Sequence, residues 1–376
     1  MKIEVRSDIL LDSLNHVQNI VDKKSVKSIL SNVKISARRE ELCLYTTNLD
    51  IFAKECIRAC IQGEVHTTVP VHVLHEIIKK IGADKIINLS FQPLDKPSQM
   101  IITSGLSKFH LPCLSVEDFP EFEEEEYEYR LEIPPKNLRY LISITKHAIP
   151  SDEIRHYLNG VYLHIIKTWG KSFLKAVSTD IHRLAVGEIM VPENNATFPG
   201  IIIPKKTITE IFRLLDNVEN IILLNVSLRR IMFRIGKTTL ISKLIDGTFP
   251  DYQKAIPFDN DKVLEVSVFE LSKAINLVTA ISTERIVAIK LVAYQNKILL
   301  TVNDKINSGG AIELSAKYNQ EKISVTFNAK YITDILSNIF SGKVRFKFGS
   351  DSSAVLVEDI IDTRCRFVLM PMQNSI

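Results

Sequence analysis

Apolar and polar residues along the chain follow two periods, one helical and one of strict alternation, and the two succeed each other in the same order three times. The segments VPVHVLHEII (69–78), IPKKTITEIF (203–212) and FNAKYITDIL (327–336) share one pattern: apolar, Pro or Asn, three variable positions, apolar, one variable, Glu or Asp, two apolar. Pro is tolerated in a first helical turn and Asn caps one, so Pro70, Pro204 and Asn328 mark helix starts. Leu74, Ile77 and Ile78, like Ile208, Ile211 and Phe212, then recur at helical spacing. A second helix type precedes each of these. Leu10, Leu14, Val17 and Val21, then Leu138, Ile142, Thr145 and Ile149, then Leu271, Ile275, Val278 and Ser282, keep the rhythm of one buried face.

Between the two helices of each copy lies a hairpin pattern: VKISARREELCLYTTN (33–48), VYLHIIKTWGKSFLKAVSTD (161–180) and IKLVAYQNKILLTVND (289–304). Alternating apolar residues flank polar turns near Arg38-Arg39, Trp169-Gly170 and Gln295-Asn296, as half-buried antiparallel strands require. Strand patterns return after the second helix in IINLSFQ, NIILLNV and KVRFKF. The first two copies then close on a shared stretch, LSVEDFPEF at 114–122 and LIDGTFPDY at 244–252, which marks the passage from one module to the next. The expected architecture is α+β: three tandem modules at 1–128, 129–257 and 258–376, each with two helices and about eight antiparallel strands. The first border falls in EFEEEEYEY, read as a solvated connector, and the second in PFDND.

Composition adds limits. With 376 residues, 45% of them hydrophobic and 24% charged, the chain matches ordinary globular proteins and needs more than one core. No apolar run is long enough to span a membrane, and MKIEVRSDIL lacks the core of a secretory signal, so a cytoplasmic protein with no membrane contact is expected. Cys43, Cys56, Cys60, Cys113 and Cys365 are odd in number and show no Cys-x-x-Cys spacing, which favours reduced core thiols. The net charge of +3 does not by itself announce nucleic-acid binding. The six predicted helices together carry slightly more positive charge than the whole chain, and Lys23, Lys24 and Lys27 follow the first of them. Spread lysines suit phosphate contacts rather than base reading, although an ordinary solvated helix face would look the same.

Three segments imitate catalytic motifs. RIGKTT (234–239) ends like a phosphate-binding loop but has Ile231 where the first glycine is needed. In HVLHEII, His75-Glu76 would need a second histidine at the position of Lys79. STDIHRLAV (178–186) offers Ser178, Asp180, His182 and Arg183, yet it aligns with TTNLDIFAK and VNDKI, which lack that chemistry. No enzyme, cofactor or metal is expected.

With RHYLNG (155–160), STDIHRLAV, LIDGTFPDY and the terminal VLMPM (368–372), the whole chain resembles the bacterial sliding clamp family, the beta subunit of DNA polymerase III. The resemblance implies a head-to-tail homodimer closed into a ring of six modules around duplex DNA, with helices lining the hole. It also implies a groove for short peptides of the DNA polymerase III core, the clamp loader complex and other clamp-binding-motif proteins. By motif, Leu158, Thr179, His182, Arg183, Leu184, Pro250, Val368, Met370, Pro371 and Met372 would form its walls, with Asn328 and Tyr331 in its second half. DNA contacts would include Lys24, His156, Tyr157, Lys205 and Lys206, and the ring joint would bring Phe109 and Leu111 to Ala280 and Ile281. The sequence departs from the family at Ile181, where glycine is usual, at His156, where tyrosine is usual, and in the tail Gln373 to Ile376. Two readings compete: a monomeric, non-encircling, sequence-independent DNA-binding protein, and an enzyme using His182 and Arg183.

Overall fold

A computed structural model describes residues 1–22, 27–92, 98–121, 125–150, 154–192, 198–303 and 309–372. They form two compact units, one of Met1–Pro135 with Thr209–Leu244, the other of Lys136–Ile208 with Ile245–Ile376. The first third of the chain runs β1 (Lys2–Arg6), α1 (Ser7–Val17), β2 (Asn32–Arg38), β3 (Glu41–Thr47), β4 (Ile51–Arg58), β5 (Cys60–Gln62), β6 (Val65–Pro70), α2 (Val71–Ile81), β7 (Ile86–Gln92), β8 (Gln99–Ser104) and β9 (Ser107–Pro112). The middle third runs β10 (Tyr129–Ile133), α3 (Pro135–Lys146), β11 (Gly160–Thr168), β12 (Lys171–Thr179), β13 (Arg183–Val191), β14 (Ile201–Pro204), α4 (Lys205–Leu214), β15 (Ile222–Val226), β16 (Arg230–Ile235) and β17 (Thr238–Lys243). The last runs β18 (Lys262–Ser267), α5 (Val268–Thr279), β19 (Ala288–Tyr294), β20 (Lys297–Asn303), β21 (Gly309–Ser315), β22 (Ile323–Asn328), α6 (Ala329–Leu336), β23 (Lys343–Phe348), β24 (Val355–Asp359) and β25 (Cys365–Leu369). These are three tandem α+β modules with one order of elements. Among the described residues the first has an extra strand, because β4 and β5 are separate strands on either side of Ala59.

The helix rhythm names the buried faces. Leu10, Leu14, Val17 and Val21 are buried, as are Leu138, Ile142, Thr145 and Ile149, and Leu271, Ile275 and Val278. Asn328 caps α6, its side chain accepting from the Lys330 N–H at 3.0 Å. Pro70 and Pro204 end the strands β6 and β14, and α2 and α4 begin on the next residue. Each predicted hairpin forms, turning on residues of positive φ: Arg39 (56°), Trp169 (53°) with Gly170 (72°), and Gln295 (41°) with Asn296 (61°). Two-residue loops of this hand match the twist of the strands they join. The first turn sits one residue beyond the expected Arg38-Arg39. Phe119 and Phe249 of the shared closing stretch are both buried, each side chain contributing about 2–3 kcal/mol by burial.

Sheets do not stop at module borders. One unit holds a five-stranded sheet, β5-β1-β7-β8-β9, and an eight-stranded one, β10-β15-β16-β17-β4-β3-β2-β6. The other holds an eight-stranded sheet, β14-β11-β12-β13-β25-β24-β23-β18, and a four-stranded one, β21-β20-β19-β22. Each large sheet joins strands of successive modules antiparallel, β17 to β4 with Leu240 facing Ala53, and β13 to β25 with Ala185 facing Phe367. The same joint is thus built twice, and the candidate site sits on the second. Among the described residues no helix is long and apolar enough to cross a membrane.

One expectation is overturned: Cys43 and Cys56 form a disulfide, leaving Cys60 exposed and Cys113 and Cys365 buried as free thiols. Counting and spacing missed it because the hairpin register, not the linear interval, places the two side by side.

Candidate functional site

The site grows from the turn between β12 and β13. Thr179 Oγ1 donates to the Arg183 carbonyl at 2.7 Å and accepts from the Ile181 N–H at 3.1 Å, while Asp180 Oδ1 accepts from the His182 and Arg183 N–H groups at 3.1 and 3.0 Å. Four short-range bonds hold Ile181 at φ 76°, which a β-branched residue otherwise resists. The first module makes the same turn. Thr47 Oγ1 donates to the Ile51 carbonyl at 2.9 Å, Asn48 Oδ1 accepts from Asp50 and Ile51, and Leu49 sits at φ 79°. The geometry therefore belongs to the repeat, and the side chains hung on it differ.

In the second joint those side chains build an ionic cluster. The Arg183 guanidinium, 8% exposed, pairs with Asp180 at 2.9 Å and Asp334 at 2.6 Å and lies 4.2 Å over the Tyr331 ring. This ties the β12–β13 turn to α6. His147 is half-buried nearby with both ring nitrogens out of solvent, and desolvation, with Arg183 acting in the same direction, pushes its pKa down to about 4. Behind the turn, Leu158, Val177, Leu184, Val186, Ile202, Phe249, Tyr252, Leu356 and Val368 form one apolar cluster. The end of the chain then crosses from one half to the other: the Met370 N–H donates to the His182 carbonyl at 2.9 Å, and the Met372 N–H to the Thr326 carbonyl at 2.8 Å.

Of the twelve expected groove residues, three belong to this apolar cluster and two to the ionic cluster. Leu158, Leu184 and Val368 lie in the floor, Arg183 and Tyr331 in the ionic wall, and His182, Pro250 and Met370 at the exposed rim. Thr179 holds the turn, Asn328 caps α6, and Pro371 and Met372 are half-buried on the crossing segment. Two glycines of the quoted motifs permit close packing here. A Cβ on Gly160 would lie 2.3 Å from the Ile203 carbonyl oxygen, and one on Gly247, at φ 140°, 3.1 Å from the Tyr157 Cβ. Sequence reasoning missed Asp334. Its signal was the acidic position shared by the three repeat segments, occupied by Glu76, Glu210 and Asp334.

The first joint repeats the frame with other chemistry. The Lys243 N–H donates to the Asp50 carbonyl at 2.9 Å, as Met370 does to His182, and the two side chains pair at 3.1 Å. A charged pair replaces the rim formed by His182 and Met370.

The catalytic imitations dissolve in the structure. Ser178 is fully buried and donates to the Thr145 carbonyl at 2.5 Å, and Asp180 is spent on the turn and on Arg183. Gly236, at φ 58°, turns the hairpin between β16 and β17. His75 bonds the Asn15 side chain at 2.7 Å and His72 the Val21 carbonyl at 3.3 Å. Among the described residues, Glu41, Cys43 and Cys56 make the one cluster of potential metal ligands, and two of its sulfurs are already joined.

Of the expected DNA contacts, Lys24 lies outside the described residues, as do Gln373 to Ile376. His156 is exposed and Tyr157 is half-buried against the apolar cluster. The Lys205 N–H donates to the Asn159 carbonyl at 3.1 Å, which brings these two near the start of α4, with half-buried Lys206 alongside. Lys205 Nζ donates to the Pro150 carbonyl at 3.0 Å, and desolvation lowers its pKa. Arg213, counted among the helix cations, is tied to Glu210 and to the Asn15 and His16 carbonyls at the end of α1. The free positive charge of the helices is thus smaller than the sequence count. At the expected joint, Phe109 on edge strand β9 is 37% exposed, whereas Leu111 is buried; Ala280 and Ile281 are exposed beyond α5.

Three family models cover the chain in order: the DNA polymerase III beta subunit N-terminal domain matches residues 1–123, the central domain 132–251 and the C-terminal domain 253–373. The beta sliding clamp of Caulobacter vibrioides is 36% identical over 99% of this chain and all of its own length, and that of Escherichia coli K12 27% over the same shares. Among solved structures, a Caulobacter crescentus clamp with polyethylene glycol at a putative tethering region superposes with TM-score 0.95 at 36% identity, covering 99% of both chains. The Bartonella birtlesii clamp bound to griselimycin superposes with TM-score 0.94 at 33% identity, again over 99% of both chains. A turn-and-strand joint built twice, an exposed rim over an apolar floor and these full-length matches agree, and the chain belongs to the DNA polymerase III beta subunit family.

Proposed function

We propose that this chain works as a sliding clamp, with modules at 1–128, 129–257 and 258–376. Two copies close head to tail around duplex DNA and tether the DNA polymerase III core, the clamp loader and other factors. The full-length family match carries this reading, and as a processivity subunit the protein has no catalytic activity of its own. Its place of work is the cytoplasm, beside the chromosome.

Enclosure explains the modest charge. Duplex DNA presents about one negative charge per 1.7 Å, so a strongly cationic lining would grip one position, whereas weak contacts at Lys24, His156, Tyr157, Lys205 and Lys206 let the ring move. At the joint, edge strands β9 and β21 would pair, with Phe109 and Leu111 against Ala280 and Ile281, removing two exposed edges. The groove around Leu158, Leu184, Pro250, Val368 and Met370 takes an apolar peptide segment, and methionine adapts to several such sequences.

The test is primer extension by a clamp-dependent polymerase on a circular template with the clamp loader present. Wild-type protein lengthens the products and Ile281→Arg, which places a charge at the joint, does not. Equal product lengths with and without the wild-type protein contradict the proposal.

A further inference from the structure

The disulfide joins β3 and β4 within the eight-stranded sheet of the first unit and involves none of the expected site residues. We propose that Cys43 and Cys56 form a reversible thiol–disulfide modification site, in which Cys56 is the sulfur that exchanges with a low-molecular-weight disulfide.

Four observations carry the proposal. The residues stand directly opposite each other on β3 and β4, inside a ladder running from Glu41 opposite Arg58 to Thr47 opposite Phe52. Making or breaking the bond therefore needs side-chain rotation and no change of register. Second, the pair faces away from α1. Glu55, next to Cys56, accepts from Ser13 of α1 at 2.9 Å and pairs with His16 at 2.8 Å, so α1 covers the Glu55 face and Cys56 lies on the other.

Third, the two sulfurs differ. Cys43 is buried, 6% exposed, and Cys56 is half-buried. On its own strand Cys56 is flanked, two residues away on the same face, by Lys54 and Arg58, whereas Cys43 has Glu41 and Tyr45. Lys34 and Lys54 both place their Nζ over the Tyr45 ring, at 5.6 and 5.5 Å, adding positive charge to that face. Cations beside a thiol favour its thiolate, the form that attacks a disulfide, and because the Glu41 carboxylate lies beside both sulfurs, the greater exposure of Cys56 is what sets it apart. Fourth, the other buried thiols are held neutral: burial raises the Cys113 thiol and pushes Cys365 up to about 11.

The exchange balances in two steps. The Cys56 thiolate attacks one sulfur of the small disulfide, forming a mixed disulfide and releasing one small thiolate. Cys43, losing its proton, then attacks the Cys56 sulfur, closing the protein disulfide and releasing the second small thiolate. The protein loses two electrons and two protons, and the small disulfide becomes two thiols.

The test equilibrates the full-length protein, in a Cys60→Ser background, with graded ratios of reduced and oxidised glutathione. Iodoacetamide then quenches the native protein, and peptides are quantified by mass spectrometry. The bridged peptide pair should convert to the doubly alkylated pair in one reversible transition, with Cys113 and Cys365 unreacted throughout. Cys43→Ser should accumulate glutathione on Cys56, and Cys56→Ser should leave Cys43 unmodified. A wild-type pair that stays unbridged in oxidised glutathione, or stays bridged in fully reduced glutathione, overturns the proposal, as does glutathione found on Cys43 rather than Cys56. If a serine variant fails to fold, the wild-type titration still tests reversibility, and the mixed disulfide trapped by the quench early in oxidation still shows which sulfur carries glutathione.

Discussion

Asp334→Asn isolates the contact that ties the β12–β13 turn to α6. Arg183 is buried and neutralised by two carboxylates, Asp180 at 2.9 Å and Asp334 at 2.6 Å. Asparagine keeps the shape and removes one of the two negative charges. For charge centres about 4 Å apart at an effective dielectric near 20, the lost attraction is about 4 kcal/mol. The new amide still accepts a hydrogen bond and no longer has a charge to desolvate, which leaves a net loss of about 2 kcal/mol. The guanidinium also stacks on Tyr331, so loosening it frees the turn that carries His182 at the rim. Peptide affinity should therefore fall about tenfold, equivalent to about 1.4 kcal/mol. Isothermal titration with a clamp-binding peptide and urea unfolding measure the two effects. Asp50→Asn is the internal contrast: its pair with Lys243 is exposed on both sides, and its loss should cost under about 0.5 kcal/mol. The reasoning fails if Asp334→Asn binds peptide within about twofold of wild type and unfolds within about 0.5 kcal/mol of it.

Ile181→Gly should relieve the positive-φ strain and raise unfolding free energy by about 0.5–1 kcal/mol in urea titrations; a loss of stability would contradict the strained-turn account. His147 should make stability fall with acid. Its folded pKa of about 4 lies below the ordinary 6.5, so the unfolded chain takes up the proton first, and stability present above pH 6.5 is lost as pH falls toward 4. Near pH 5 the loss is about 2 kcal/mol, and His147→Gln should show a correspondingly shallower decline in urea midpoint between about pH 7 and 5; equal slopes would remove His147 as the cause.

How much of this was legible in sequence depends on the range of the interaction. Leu10, Leu14 and Val17 announced their buried face because helical period is local, and Trp169-Gly170 announced its turn because φ is local. The pairing of β17 with β4 was not legible, since Leu240 and Ala53 are separated by most of two modules and neither pattern names the other as partner. The disulfide was hidden for a related reason: Cys43 and Cys56 look unremarkable as an interval and become neighbours through hairpin register. In the site, the apolar floor at Leu158, Leu184 and Val368 followed from motif resemblance, while the Arg183–Asp334 pair required knowing that the β12–β13 turn and α6 meet. Arg213 was misjudged in the other direction. Its charge counted toward a DNA-facing helix, but the carbonyls at the end of α1 take it up.

Retention on circular DNA tests the central claim most directly. Loaded onto a nicked circle by a clamp loader, the protein should survive a high-salt wash that disrupts ionic contacts, and should leave when a restriction enzyme cuts the circle. Loss in the wash before cutting, or persistence after it, would contradict enclosure.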